Sequence, residues 1–181
     1  MTFIRSKITK KLLNYFFLNQ DSRFYINEIA KIIEEDPKNV HKKLIELKEK
    51  GLLIDEFQGN QHYFFINKKY PLLKEYKNIV LKEVGFEKTL KEELTKLKEI
   101  DSAYIFGSYT SDKLSLESDI DLLVIGNFDT LEFQKRLLKI QRLSGREINS
   151  IELTKEEFEK RIKEKDSFLK NIFSKKHIKI L

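Results

Sequence analysis

The stretch AYIFGSYTSDKLSLESDIDLLVIG, residues 103–126, decides the fold of the C-terminal half of the chain. It holds two apolar runs of strand length, Ala103–Phe106 and Ile120–Ile125, joined by a polar, flexible connection. The first run ends in Gly107 and Ser108. Glycine lets a chain turn sharply or a ligand approach the backbone closely. The stretch therefore predicts two strands with a functional turn between them.

Two carboxylates, Asp119 and Asp121, mark the start of the second run. Alternate side chains of a strand share a face, so both are predicted to point the same way while Ile120 and Leu122 point into a core. Carboxylates held side by side repel each other unless a cation lies between them. A hard divalent ion, Mg²⁺ or Mn²⁺, is the expected occupant.

The Gly107-Ser108 turn suits a phosphate group, because the serine hydroxyl and amide can donate to phosphate oxygens. A phosphate cradle beside a metal-binding pair is the apparatus of phosphoryl or nucleotidyl transfer. The alternative is a hairpin edge in which Ser118 and Asp119 only cap a turn. That interpretation leaves the Gly-Ser pair and the second aspartate unexplained together.

These residues resemble the signature of the DNA polymerase β-like nucleotidyltransferase superfamily, and most closely that of its minimal nucleotidyltransferases. In that pattern a Gly-Ser pair precedes Asp-x-Asp by about ten residues, and residues 109–118 fill the interval here. The resemblance implies Mg²⁺-dependent transfer of a nucleoside monophosphate from a nucleoside triphosphate, such as ATP, to a hydroxyl. The residues that it assigns to metal and nucleotide are Asp119, Asp121, Gly107, Ser108 and Ser118.

A third predicted strand, REINSIEL at residues 146–153, bears on catalysis. The superfamily usually places a third carboxylate there, which completes the metal site and accepts the proton of the attacking hydroxyl. The pattern puts Asn149 at that position, and an amide can coordinate a metal but cannot act as a base. Glu147 shares its face in an extended strand and either replaces it or is solvated. The candidate catalytic residues are Asp119, Asp121, Glu147 and Asn149.

The rest of this half is predicted to be helical except at its end. A helix from residue 129 or 130 to Gly145 has a predicted inner face of Leu131, Leu137, Leu138 and Ile140. Thr154-x-x-Glu157 and Asp166-Ser167 are predicted to start two more helices. Residues 177–181 are predicted as an edge strand.

The first 70 residues have the order helix, helix, helix, hairpin. Helices are predicted at residues 6–18, 26–34 and 37–50, and Asp36 is the predicted N-cap of the third. The hairpin is LLIDEF and HYFFI around the turn QGNQ.

This order, over residues 25–66, resembles the winged helix-turn-helix of MarR- and ArsR-like regulators. In that family the third helix enters the major groove of DNA and the wing touches the backbone. The resemblance implies DNA contacts by Lys38, Asn39, His41, Lys42, Lys43, Asn60 and Gln61. A winged helix used only for dimerisation or protein contact is the alternative, with these lysines as a solvated face.

The predicted fold class is α+β, with a small mixed sheet flanked by helices in the C-terminal domain. The predicted domains are 1–70, a winged helix-turn-helix; 71–100, a bridging helical segment; and 101–181, the nucleotidyltransferase domain. An apolar stripe from Leu72 to Leu97 is predicted to run through the bridge to Ile100, with a break near Gly85. The stripe packs on the transferase core or forms the seam of a homodimer.

Composition limits the class of protein and the cellular location that we expect. The 181 residues are 40% hydrophobic, which is enough for packed cores, and the absence of cysteine excludes disulfides and thiolate metal sites. No signal peptide or membrane span is evident, so we expect a soluble cytoplasmic protein without a membrane partner. The net charge is +6, and residues 1–70 carry 13 basic against 9 acidic side chains. Most of the excess of basic side chains thus lies in the half that is predicted to bind DNA.

Three functions fit these features. The leading hypothesis is a nucleotidyltransferase coupled to a DNA-binding winged helix. The first alternative is a transcriptional regulator whose degenerate transferase domain only senses nucleotide or metal, which Asn149 favours. The second is an antitoxin-like protein that neutralises a partner. In the superfamily the acceptor is a tyrosine or serine of a partner toxin, an antibiotic or an RNA end.

Overall fold

The computed structural model describes residues 5–111 and 118–181. The chain divides into two compact units, Met1–Lys88 and Thr89–Leu181. The predicted division into three domains stays a prediction. Residues 112–117, part of the predicted connection between the two signature strands, lie outside the described residues. Within the described ranges, no helix is long and apolar enough to cross a membrane.

The first unit has the winged helix-turn-helix arrangement. Its elements are α1 (Lys7–Leu18), β1 (Phe24–Tyr25), α2 (Ile26–Ile32), α3 (Pro37–Glu49), β2 (Leu53–Gln58), β3 (Gln61–Ile66) and α4 (Leu73–Glu83). The three predicted helices and the hairpin are confirmed. Strand β1, which the sequence did not predict, pairs with β3 and completes an antiparallel sheet in the order β1-β3-β2.

Local signals fix the ends of α3 and of the wing. The Asp36 carboxylate accepts hydrogen bonds from the backbone N–H groups of Lys38 and Asn39, both at 3.1 Å, as an N-cap should. Gly51, at φ +76°, ends the helix in the left-handed conformation. Gln58 pairs with Gln61 across the hairpin, so a two-residue turn closes the wing.

The bridging segment is broken where the sequence predicted a break. Helix α4 ends at Glu83 and α5 (Phe86–Thr95) follows. A side chain on Gly85 would begin 2.8 Å from the carbonyl oxygen of Val80, so glycine is needed between the helices. The predicted continuation of the helix to Ile100 is wrong: Glu99 adopts φ +63°, which no helix accommodates, and Ile100 begins a strand.

Part of the apolar stripe that was predicted to form a dimer seam is buried inside the chain. Leu90 and Leu94 are fully buried within the single chain, and Leu97 is 7% exposed. These side chains are therefore unavailable to a second copy. Leu72, at the start of the stripe, is 51% exposed.

The second unit is a mixed sheet with helices on both faces. Its elements after α5 are β4 (Ile100–Phe106), β5 (Ile120–Gly126), α6 (Thr130–Ser144), β6 (Ile148–Leu153), α7 (Lys155–Lys163), α8 (Ser167–Ser174) and β7 (Ile178–Lys179). The strand order is β6-β5-β4-β7. β5 and β6 are parallel, whereas β4 is antiparallel to both β5 and β7. All four predicted strands of this unit are confirmed.

One face of this sheet is covered by α7 and α8. Its core cluster is Leu123, Ile125, Leu153, Leu169 and Ile172. On α6, the side-chain oxygen of Gln141 accepts a hydrogen bond from the Ile148 N–H at 2.8 Å, which ties this helix to the start of β6.

The predicted inner face of α6 is partly wrong. Leu137 and Ile140 are buried together with Phe133, but Leu131 is 75% exposed and Leu138 is 51% exposed. Residues two positions apart on a helix lie roughly 200° apart, so Leu131 and Phe133 cannot share a face. Burial of the phenylalanine sets the phase of the helix and turns the two leucines outward.

Side-chain caps set the other helix boundaries as the sequence predicted. Asp129 accepts a hydrogen bond from the Glu132 N–H at 2.9 Å, and Gly145, at φ +66°, ends α6. Thr154 forms the predicted capping box at the start of α7. Asp166 accepts a hydrogen bond from the Leu169 N–H at 2.9 Å and starts α8.

A buried carboxylate ties α5 to α6. Glu93 is 5% exposed. Its Oε1 accepts hydrogen bonds from Lys96 at 2.7 Å and Lys139 at 2.9 Å, and its Oε2 accepts one from Arg136 at 3.0 Å. Hydrogen bonds from the two lysines, aided by Arg136 and opposed by burial, lower the pKa of Glu93 to about 2.

We expect Glu93→Gln to destabilise the protein by about 2 kcal/mol at pH 7. The lysine partners are more than half exposed, so water screens part of the attraction and the cost lies below the full linkage value. Because the folded pKa is lowered, this stability is present above the ordinary pKa of 4.5 and is lost as the pH falls towards 2. Denaturant unfolding should show the difference from wild type shrinking by roughly half at pH 3. An equal difference at both pH values would contradict the account; exposed Glu159→Gln is the control.

Candidate active site

Strand direction brings the signature residues to one edge of the four-stranded sheet. β4 runs towards this edge and ends at Phe106, whereas β5 and β6 begin there. Phe106 pairs with Asp121 across the antiparallel ladder, and Asp121 pairs with Asn149 across the parallel one. Residues from three separate segments of the sequence therefore meet at this edge.

The two aspartates alternate with buried side chains, as predicted. Ile120 and Leu122 are fully buried, whereas Asp119 and Asp121 are half-buried. Burial, and after it the negative charge of Asp119, raises the pKa of Asp121. The surroundings thus disfavour the charged form of Asp121, and a cation bound here would reduce the repulsion between the two carboxylates.

Gly107 makes room for one of these carboxylates. It adopts φ +73°, and a side chain at this position would begin 2.1 Å from Oδ2 of Asp121. No residue with a Cβ fits there unless the carboxylate moves. From sequence we assigned this glycine to close approach by a phosphate; the structure adds that the neighbouring aspartate itself requires it.

The backbone around Asp119 is held by two side chains. Ser108, in a short 3₁₀ turn from Gly107 to Tyr109, donates a long hydrogen bond of 3.4 Å from its hydroxyl to the Asp119 carbonyl. Arg146 donates from Nη1 to the carbonyl of Ser118 at 3.1 Å. Arg146 is 5% exposed, so its charge lies inside the unit. Sequence analysis missed this role, because an arginine ahead of an apolar strand carries no distinctive signal.

Asn149 lies beside the aspartates, where the sequence predicted it. Its Nδ2 donates a hydrogen bond to Oδ2 of Asp119 at 2.9 Å. Glu147 lies just ahead of β6; its carbonyl accepts a hydrogen bond from the Ile120 N–H at 2.9 Å, and the residue is exposed. In residues 5–111 and 118–181, no group of three His, Cys, Asp or Glu side chains could hold a metal ion. The catalytic role of Glu147 stays a prediction.

The side chains at this edge nevertheless suit a hard divalent cation. The donor set is two carboxylates and one amide, all of which offer oxygen atoms. The amide already uses its N–H₂ group on Asp119, so its oxygen is the atom left for a metal. The raised pKa of Asp121 also agrees with a cation site, since a bound cation would stabilise the charged form of this carboxylate.

The residues predicted to contact DNA lie on the first unit. On α3, Lys38, Asn39, His41 and Lys42 are exposed, and so are Asn60 and Gln61 at the wing. Lys43 is paired with Glu46 at 2.8 Å within the same helix. These positions agree with a helix that presents one polar face, and DNA contact stays a prediction.

A histidine at the wing, isolated in the sequence, has close neighbours in the structure. The ring of His62 stacks on the exposed ring of Phe57, with 4.0 Å between the ring centres. Its Nε2 lies 2.6 Å from Oδ2 of Asp55, which also accepts from Lys48 at 2.8 Å. Cross-strand pairing of Phe57 with His62 produces this contact, and sequence spacing alone does not reveal it.

Comparison with known proteins identifies the family. Residues 88–178 match the family "Polymerase beta, Nucleotidyltransferase". The chain belongs to this family. Its C-terminal half is thus a polymerase β nucleotidyltransferase domain, as the signature predicted. No curated protein matched the sequence.

Similarity to solved structures is distant. A toxin–antitoxin structure with AMP-PNP is 15% identical, with a TM-score of 0.39, over 52% of this chain and 72% of that one. The Staphylococcus aureus MepR–DNA complex is 21% identical, with a TM-score of 0.38, over 52% of this chain and 78% of that one. MepR, a transcription regulator of the multidrug efflux pump MepA of the same organism, is 19% identical, with a TM-score of 0.37, over 50% and 76%.

The contact between Gly107 and Asp121 predicts a strong coupling between two substitutions. Gly107→Ala should cost about 3 kcal/mol of unfolding free energy, from left-handed strain and from displacement of the carboxylate. In an Asp121→Ala background the same change should cost only the strain, about 1–2 kcal/mol. Denaturant unfolding of the four proteins measures the coupling.

Gly59→Ala is the matched control for this pair. Gly59 also has a positive φ, +59°, but nothing lies within 4 Å of the position that its Cβ would take. Its substitution should cost strain alone, whatever residue stands at position 121. Equal costs of Gly107→Ala in the two backgrounds would contradict the packing argument.

Proposed function

We propose that the second unit transfers a nucleoside monophosphate from a Mg²⁺-bound nucleoside triphosphate to a hydroxyl group, and that the winged helix binds DNA. The observation that carries the first part is the pair Asp119 and Asp121 at the sheet edge. The pKa of Asp121 is raised, and the absence of a side chain at Gly107 leaves room for its carboxylate. Membership of the polymerase β nucleotidyltransferase family supports it.

In this proposal Asp119 and Asp121 hold the metal. Bound Mg²⁺ supplies positive charge that neutralises phosphate oxygens during transfer. The turn of Gly107 and Ser108 offers backbone N–H groups and a hydroxyl to the phosphates. Ser118 precedes Asp119, whose carbonyl accepts the hydrogen bond from Ser108.

The transfer itself is a substitution at phosphorus. The acceptor oxygen forms a bond to the α-phosphorus, the bond to the β-phosphate breaks, and pyrophosphate leaves. The hydroxyl proton needs a base, and Asn149 cannot supply one. Glu147, exposed just ahead of β6, or solvent water takes the proton.

A second function is favoured by one observation. Asn149 donates a hydrogen bond to Asp119, and it stands at the position where the resemblance to the superfamily predicts a third carboxylate. A site of this kind can bind a metal–nucleotide complex and still transfer nothing. The protein would then be a DNA-binding regulator that senses nucleotide.

Nucleotide turnover separates the two functions. We expect wild-type protein, given Mg²⁺, α-labelled ATP, GTP or CTP and a cell lysate that supplies hydroxyl acceptors, to bind at least one nucleotide, to transfer labelled monophosphate to an acceptor and to release pyrophosphate. Asp119→Asn should lower this rate about 100-fold or more, because it removes a metal ligand. Asn149→Asp should raise it about tenfold or more, because it adds a carboxylate base.

The outcomes divide cleanly. Nucleotide binding without turnover in both wild type and Asn149→Asp would leave only the sensor function. Absence of nucleotide binding, with no effect of Asp119→Asn, would eliminate both. Exposed Glu159→Gln, on the outer surface of α7, is the control for nonspecific loss of charge.

DNA binding by the winged helix has its own test. In gel shifts with the DNA upstream of the protein's own coding sequence, Lys38→Ala/Lys42→Ala should weaken binding about tenfold and lower the salt slope by about 2. Both lysines are exposed on α3. Exposed Lys82→Ala, on α4, should change neither quantity. Wild-type binding that is absent, or indifferent to salt, would refute the DNA-binding part.

A further inference from the structure

The fourth strand also begins at the sheet edge that holds the candidate site. β7 is antiparallel to β4, with Tyr104 opposite Lys179 and Ile105 opposite Ile178. Because β4 runs towards the site, β7 runs away from it.

A buried hydroxyl bridges the end of β4 and the residues just before β7. Oγ1 of Thr110 lies 2.8 Å from the carbonyl oxygen of Lys176 and 2.9 Å from that of Gly107. Thr110 is 3% exposed, so its hydroxyl links the two segments inside the protein. The chain just before β7 is therefore attached directly to the Gly-Ser turn.

A second contact fixes the residue before it. Nδ1 of His177 lies 2.9 Å from the carbonyl oxygen of Lys175. The His177 ring packs edge-on against Tyr104 and Phe173, with ring centres 5.9 and 5.3 Å apart. These contacts fix the backbone of the two lysines, with the carbonyl of Lys176 joined to the turn through Thr110.

These two lysines carry charge that the fold does not use. Both are exposed, and within the described ranges neither forms an ion pair. Asp119 and Asp121 at the same edge are negative, and a triphosphate adds further negative charge. The backbone of the lysines is tied to the phosphate turn, and ammonium groups that reach a bound triphosphate from there would balance the part of that charge that a metal on the aspartates does not.

We propose that Lys175 and Lys176 bind the β- and γ-phosphates of the nucleotide held by the Gly107-Ser108 turn, and that Thr110 is the positioning residue that keeps them there. This inference rests on the proposed nucleotide-binding function and deepens it. The lysines give the site its preference for triphosphates over monophosphates. A segment far from the signature in sequence thereby completes the phosphate site.

Calorimetric titration with Mg²⁺–ATP and with AMP tests the lysines. Lys175→Ala/Lys176→Ala should weaken ATP binding about tenfold or more and AMP binding less than about twofold, since AMP lacks the two phosphates concerned. Mn²⁺ affinity, measured without nucleotide, should stay as in wild type. Lys179→Ala is the matched control, because this exposed lysine lies on the same strand three residues further from the edge.

The test of Thr110 measures the ratio of ATP to AMP affinity, which a purely structural role of this residue would leave unchanged. Thr110→Val should reduce the ratio of ATP to AMP affinity about threefold or more, and Thr110→Ser, which keeps the hydroxyl, should restore it. Unchanged ATP affinity in the double lysine variant would overturn this inference while the proposed function stands. Equal losses for ATP and AMP would overturn it too. Wild-type protein that binds no nucleotide would overturn both.

Discussion

A carboxylate oxygen of Asp121 occupies the space in which a side chain at residue 107 would begin. That contact requires a glycine in the left-handed conformation at the end of β4, and it holds the acidic pair close to the turn that is expected to take phosphate. Burial and the neighbouring Asp119 raise the pKa of Asp121, so the arrangement costs free energy without a cation. The same features are what a metal–nucleotide site needs. The fold therefore holds a carboxylate in a place where its charged form is disfavoured, and a bound cation would lower that cost.

The topology of the sheet explains why so few residues can build such a site. β4 ends at one edge, and β5, β6 and β7 all begin there, because β5 is parallel to β6 and β7 is antiparallel to β4. Residues at one end of every strand therefore lie together at this edge. The Gly-Ser turn, the aspartates and Asn149 come from three of them. The fourth, β7, follows directly after two lysines. Buried Arg146 donates to the carbonyl of Ser118, and the buried hydroxyl of Thr110 contacts the carbonyls of Gly107 and Lys176.

How far the sequence predicts this structure depends on how local each signal is. Caps such as Asp36 and Asp129, and the strands around the signature, follow from nearest neighbours and are confirmed. The exposed Leu131 and Leu138, the early end of α5 and the two-residue β1 depend on tertiary packing, which chooses among faces and lengths that a pattern leaves open. At the site, strand register brings Asp119, Asp121 and Asn149 together, and their functional roles stay predictions. The links through Arg146 and Thr110 join segments far apart in the chain, so no local pattern encodes them.

The central claim is that Asp119 and Asp121 form the metal site of a nucleotide-binding edge. A crystal structure of the protein with Mn²⁺ and a non-hydrolysable triphosphate tests it most directly. The account predicts an anomalous peak about 2.1–2.2 Å from carboxylate oxygens of both aspartates, with the phosphates on the Gly107-Ser108 turn. Manganese bound by neither aspartate, or a nucleotide bound elsewhere on the protein, would contradict it.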